Sequence, residues 1–191
     1  MCHTPTAELD FFASLLRQDQ CFAEQVQAKG CEHCGSPLHQ AHYQRKPRGL
    51  PPELRNDEAY ARRYSFCCCR CRRRHTPVSL RFLGRRVYSA FCLLMASFQG
   101  CFETAAIQQL SVPKLSLYRW QQWWNGDFKQ TRVWRALTTK LQPVTRLPDD
   151  WWRQLGGATW CERGWQMLGA LLPLTSQSSR YFRMSEFTQN L

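Results

Sequence analysis

The chain has 191 residues, 43% of them hydrophobic and 13% aromatic, which is enough for one ordinary core or two small ones and excludes a disordered tail. Its formal charge of +12 comes from 26 Lys and Arg against 14 Asp and Glu, an excess that makes nucleic acid the expected partner. The N-terminus, Met1-Cys2-His3-Thr4-Pro5, lacks the basic and apolar segments of an export signal. The 11 cysteines therefore point to metal ligation in a reducing cytoplasm rather than to disulfides. No apolar run reaches the roughly 20 residues of a membrane span, Val87 to Phe98 being the longest.

Residues 7–28 read as a helix, with Leu9, Phe12, Leu15, Leu16, Phe22 and Val26 on one face and Gly30 as its stop. Two C-x2-C knuckles follow, Cys31-Glu32-His33-Cys34 and Cys68-Cys69-Arg70-Cys71. Paired thiolates at that spacing chelate one tetrahedral ion, so Cys31, Cys34, Cys68 and Cys71 are the expected ligands of a structural Zn2+. Cys67 or Cys69 in the crowded second knuckle compete with Cys68, and His33, His39, His42 or His75 can substitute for a thiolate, although the three histidines nearest the first knuckle read better as solvated. The interval between knuckles exceeds the usual 15 to 20 or so residues and must hold an insertion. Its ends, His39 to Arg45 and Ala61 to Phe66, read as paired strands around the breaker Lys46-Pro47-Arg48-Gly49-Leu50-Pro51-Pro52.

The knuckles exit into Arg70, Arg72, Arg73 and Arg74, then Arg81, Arg85 and Arg86. This concentration of guanidinium beside a metal-fixed hairpin suits phosphate contact. Val78 to Phe82 reads as a short closing strand. Residues 84–98 form a buried helix, with Gly100 as its end. Glu103 to Trp120 then reads as helix, tight turn and helix. Ala106, Ile107 and Leu110 face inward, Val112 plugs the turn, Leu117, Trp120 and Trp124 form the inner face of the second helix, and Asn125-Gly126 ends it. Lys114, Ser116, Tyr118, Arg119 and Gln122 point outward, donors suited to phosphates and base edges.

The segment from Ala105 to Trp120 resembles the helix-turn-helix of insertion-sequence transposases and resolvase-like DNA-binding domains, and it departs from that pattern twice. Ser111 stands where Gly makes the turn, so a left-handed residue there costs roughly 1 kcal/mol. Pro113 replaces the capping Ser and moves the expected cap to Ser111 or Val112. Together with Tyr64-Ser65-Phe66-Cys67-Cys68, Cys71-Arg72-Arg73-Arg74 and Arg81-Phe82-Leu83-Gly84-Arg85-Arg86-Val87-Tyr88, the stretch 30–125 is similar to small bacterial zinc-ribbon and helix-turn-helix proteins of mobile elements. The resemblance implies DNA binding in a mobile-element setting.

Downstream, Val133 to Leu141 reads as a helix. Pro148-Asp149-Asp150 starts another that Gly156-Gly157 interrupts, Met167 to Leu174 is apolar, and the tail from Thr175 is loose. The expected fold is mainly α with a small β zinc ribbon: an N-terminal helix (1–29), the ribbon with its basic exit (30–83), a trihelical helix-turn-helix domain (84–147) and a C-terminal helical appendix (148–191). Few carboxylates, no succession of strands and no phosphate loop argue against an enzyme. The leading expectation is an accessory or regulatory DNA-binding component of a mobile element, acting on double-stranded DNA and allowing a homodimer. The alternatives are an adaptor docking a transposase or polymerase, and an RNA-binding ribbon that offers Tyr43, Tyr64 and Phe66 to unstacked bases.

Overall fold

Helix α1, Leu9–Lys29, turns Phe11, Phe12, Leu15, Asp19, Phe22 and Ala23 inward, while Leu9 at its first position is 48% exposed. The computed structural model describes residues 9–45, 48–82, 110–139, 155–157 and 160–172. Among them helices predominate, with a small antiparallel sheet, and no helix is long and apolar enough to cross a membrane. Gly30 stops α1 in the left-handed region at φ 74°, and a Cβ there would lie 3.2 Å from the Gly35 carbonyl oxygen and 3.3 Å from that of Ser36. Both the backbone angle and the close approach disfavour a side chain. Gly30→Ala is expected to destabilise the protein by about 1–2 kcal/mol, measured as a lower denaturant midpoint at unchanged slope.

The strands β1 (Leu38–Gln40) and β2 (Tyr43–Gln44) are one extended run, broken at Ala41 and His42. It lies antiparallel to β3 (Arg62–Arg63) and β4 (Phe66–Cys68) in a single register, from Leu38 opposite Cys68 to Gln44 opposite Arg62. At the break the Ser65 amide donates to His42 Nδ1 at 3.1 Å, so a side chain takes over a rung of the ladder. The expected hairpin is therefore present. Its connector carries a short helix, α2 (Glu58–Ala61), whose first amides donate to the capping Asp57 carboxylate. The third strand, β5 (Arg74–His75), pairs with β4 in the order β1-β4-β5. The closing strand thus falls earlier than the expected Val78 to Phe82, where Val78 and Leu80 are buried without strand pairing.

Two buried clusters share α1. Its stretch from Phe11 to Phe22 joins Leu50, Tyr60, Val78 and Leu80 to the downstream helices. Its last turns place Ala23 and Val26 against Cys31, Leu38, Tyr64, Phe66 and Cys68. The downstream helices are α3 (Lys114–Asn125), α4 (Arg132–Thr138) and α5 (Trp160–Ala170). Leu110, Val112, Leu117 and Trp124 are buried as expected, with Trp120 packed partly against them, and Trp124 stacks on Phe128 at 4.4 Å between centroids. Ser111 takes the left-handed turn at φ 50°. The cap differs from expectation: Pro113 itself is the N-cap, and its carbonyl accepts from the Ser116 and Leu117 amides. The expected helix over 84–98 and all but the end of the one before Ser111 lie outside the described residues.

Between the clusters lies a buried ion pair that the sequence reading missed. Asp19 accepts from Arg81 Nε at 2.8 Å, from the Leu80 amide at 2.7 Å and from the Ser79 hydroxyl, with both charged side chains fully enclosed. The remaining Arg81 nitrogens donate to the carbonyls of Ala59, Tyr60 and Arg62, and its guanidinium lies over the rings of Tyr60, Tyr64 and Phe82. Arg81 is thus withdrawn from the basic surface it was expected to join.

Candidate metal centre

The two cysteine knuckles fold alike. In the first, the Gly35 amide donates to the Cys31 carbonyl at 2.8 Å and the Cys31 amide to the Ser36 carbonyl at 2.9 Å. In the second, Arg72 donates to Cys68 at 3.2 Å and Cys68 to Arg73 at 2.9 Å. Gly35 and Arg72 hold the same place in each turn, and both are left-handed, at φ 69° and 59°. The strain falls on Arg72, a residue that pays about 1 kcal/mol where glycine does not.

These turns bring the sulfur atoms of Cys31, Cys34, Cys68 and Cys71 within 4.8 Å of one another. Cys31 Sγ lies 3.5 Å from Cys71 Sγ, and Cys34 Sγ lies 3.4 Å from Cys68 Sγ. A tetrahedral ion with metal–sulfur bonds of about 2.3 Å needs sulfur separations of about 3.8 Å, so the four donors fit one ion with small adjustments. A cation would also favour the set electrically, because adjacent thiolates repel. Hydrogen bonds from Ser36 and then from Cys68 lower the Cys34 thiol to about 6. At Cys71 the Arg73 amide favours the thiolate, but desolvation and the Cys68, Cys31 and Cys34 sulfurs prevail and push it to about 12. A bound cation removes that conflict.

Strand parity decides among the crowded cysteines. Cys68 is buried opposite Leu38, whereas Cys67 shares a cross-strand row with His39 and Arg74 and turns its sulfur toward the Arg72 carbonyl; Cys69 is exposed. Of the histidines, His33 and His39 are exposed. His33 accepts from Arg73, with Nε2 2.8 Å from the guanidinium. His42 departs from the solvated reading, packing edge-on to Tyr64 and Phe66. His75 is buried, with Nε2 3.3 Å from Cys31 Sγ, placed to donate to a metal-bound thiolate from outside the four-sulfur set.

Arg70, Arg72, Arg73 and Arg74 are exposed beside the centre, while Arg85 and Arg86 lie outside the described residues. On α3, Lys114, Tyr118, Arg119 and Gln122 are exposed and Ser116 is half-buried. The same helix also leaves Leu115 59% and Tyr118 57% exposed. What defines the molecule at this point is a mainly α chain whose small antiparallel sheet carries a four-cysteine cluster suited to a metal ion. Comparison with known proteins finds no matching family model, curated protein or solved structure.

Proposed function

We propose that the chain is a zinc-stabilised, sequence-specific DNA-binding protein of the reducing cytoplasm, an accessory or regulatory component of a mobile element without catalytic activity of its own. Zinc suits a closed set of four thiolates, where it acts structurally by holding the two knuckles together. One observation carries the DNA reading: a left-handed turn at Ser111 delivers α3, which buries Leu117 and Trp124 and leaves Lys114, Tyr118, Arg119 and Gln122 in solvent. A helix with that division of faces can enter a major groove while its inner side stays in the core. The exposed Arg70, Arg72, Arg73 and Arg74 then supply phosphate contacts without sequence choice. Arg72 keeps a cationic side chain at a strained left-handed position, which supports a role beyond folding.

Random-site selection on duplex DNA tests the proposal. The wild type should enrich a motif, and Arg119→Ala or Lys114→Ala should relax it by about 1–3 kcal/mol of discrimination at the contacted position, with the fold intact. Strong duplex binding with no enriched motif overturns the base-reading role.

The exposed Leu115 favours a second reading, in which α3 docks a protein partner such as a transposase or polymerase. In that case Leu115→Asp abolishes partner binding, and the wild type shows no duplex affinity at low salt.

A further inference from the structure

Of the aromatic residues on the paired strands, Tyr64 and Phe66 are buried and unable to receive a base, so the three rings of the alternative RNA-binding reading do not form one platform. Tyr43 remains, 37% exposed on β2. Two guanidiniums attend its ring, Arg45 at 5.9 Å and Arg74 at 5.8 Å from the centroid. Those distances are at the outer limit of cation–π contact, loose enough for a flat ligand to displace one of them. Arg74 comes from β5, in one cross-strand row with Cys67 and His39, so ring and cations sit on a sheet held at one end by the four cysteines. Among the described residues no carboxylate forms an ion pair with Arg74.

We propose that this sheet face binds a single unpaired nucleotide, its base stacked on Tyr43 and its phosphate held by Arg74 with Arg45. An exposed phenol ring with neighbouring cations matches a π-face joined to an anion, which is the chemistry of a nucleotide. Bases within a duplex already have both faces stacked and cannot use the ring, so the ligand is unpaired. One exposed ring rather than three limits the site to one base, recognised with little sequence preference. The site is independent of α3, and its failure would leave the duplex-reading proposal standing.

Fluorescence anisotropy of the zinc-loaded full chain decides the matter, using short labelled single strands, the same strands with abasic positions throughout, and a blunt duplex. Tyr43→Ala should weaken intact single strands by about 5- to 100-fold and leave the abasic strand and the duplex unchanged, while Tyr43→Phe keeps the wild-type affinity. Arg74→Ala should weaken intact and abasic single strands alike and reduce the salt slope by about 0.7. Deoxy and ribo strands of one sequence distinguish the source: tighter ribo binding identifies RNA, tighter deoxy binding identifies single-stranded DNA, and equal binding a site blind to the 2′-hydroxyl. Zinc content checks that each variant is folded. The proposal is overturned if wild-type protein binds intact and abasic strands equally, if Tyr43→Ala matches wild type on intact strands, or if no single strand binds at low salt.

Discussion

Cys31→Ser and Cys71→Ser proteins are expected to retain no stoichiometric zinc and to lose the folded state around the sheet. Apart from the paired backbone, the small cluster of Ala23, Leu38, Tyr64 and Phe66 has little besides the cysteines to hold it. Structural zinc supplies about 10–16 kcal/mol of apparent binding free energy in comparable sites, as large as the whole of a domain's usual margin of about 5–15 kcal/mol. Metal analysis of chelator-free preparations should give one zinc per wild-type chain, and thermal unfolding should show the loss in each variant. Cys69→Ser, at an exposed position, and Cys161→Ser, on α5, are the controls and should keep both metal and stability. Wild-type protein without metal would refute the assignment, as would a Cys31→Ser variant with full zinc content.

Asp19→Ala should be the most damaging single change away from the cysteines. It leaves the Arg81 guanidinium enclosed without its counter-charge and deprives the Leu80 amide and the Ser79 hydroxyl of their acceptor. Breaking a buried pair from one side costs about 3–5 kcal/mol. The pair as a whole need not stabilise to that extent, because both ions were taken out of water to form it. Asp19→Leu combined with Arg81→Met should therefore recover part of the loss, the part due to the enclosed charge, while the Leu80 amide, the Ser79 hydroxyl and the carbonyls of Ala59, Tyr60 and Arg62 keep the cost of their lost partners. Denaturant unfolding of Asp19→Leu, of Arg81→Met and of the variant carrying both gives the coupling energy directly, and additive losses would show that the two charges act separately.

What could be read from the sequence was set by short-range spacing. The knuckles, the paired strands on either side of the connector, the stop at Gly30 and the inner face of α3 each depend on residues a turn or a strand apart. The metal set was also within reach: Phe66 and Cys68 share a parity that buries them, and Cys67 falls on the other side of β4. The same parity buries Tyr64 and Phe66 and takes them away from any base, although the polar residues around them in sequence do not show it. Arg81 was misread because its partner is sixty-two positions away in sequence. A local signal for that pair did exist, since Asp19 stands four residues after Leu15 and three before Phe22, on the apolar stripe of α1 where a carboxylate needs a cation. The identity of that cation depends on tertiary packing and has no local signature.

Helix α1 touches both buried clusters along its 21 residues, the large one through Phe11 to Phe22 and the cysteine-bearing one through Ala23 and Val26. A rod shared between two cores turns them into one cooperative unit. Amides in the middle of α1 should exchange with solvent only when the whole molecule opens, and their protection should fall when metal is withdrawn, although the cysteines lie beyond the helix's last turn. Hydrogen exchange along α1 therefore measures how far loosening at the sulfur cluster spreads toward the helices that follow.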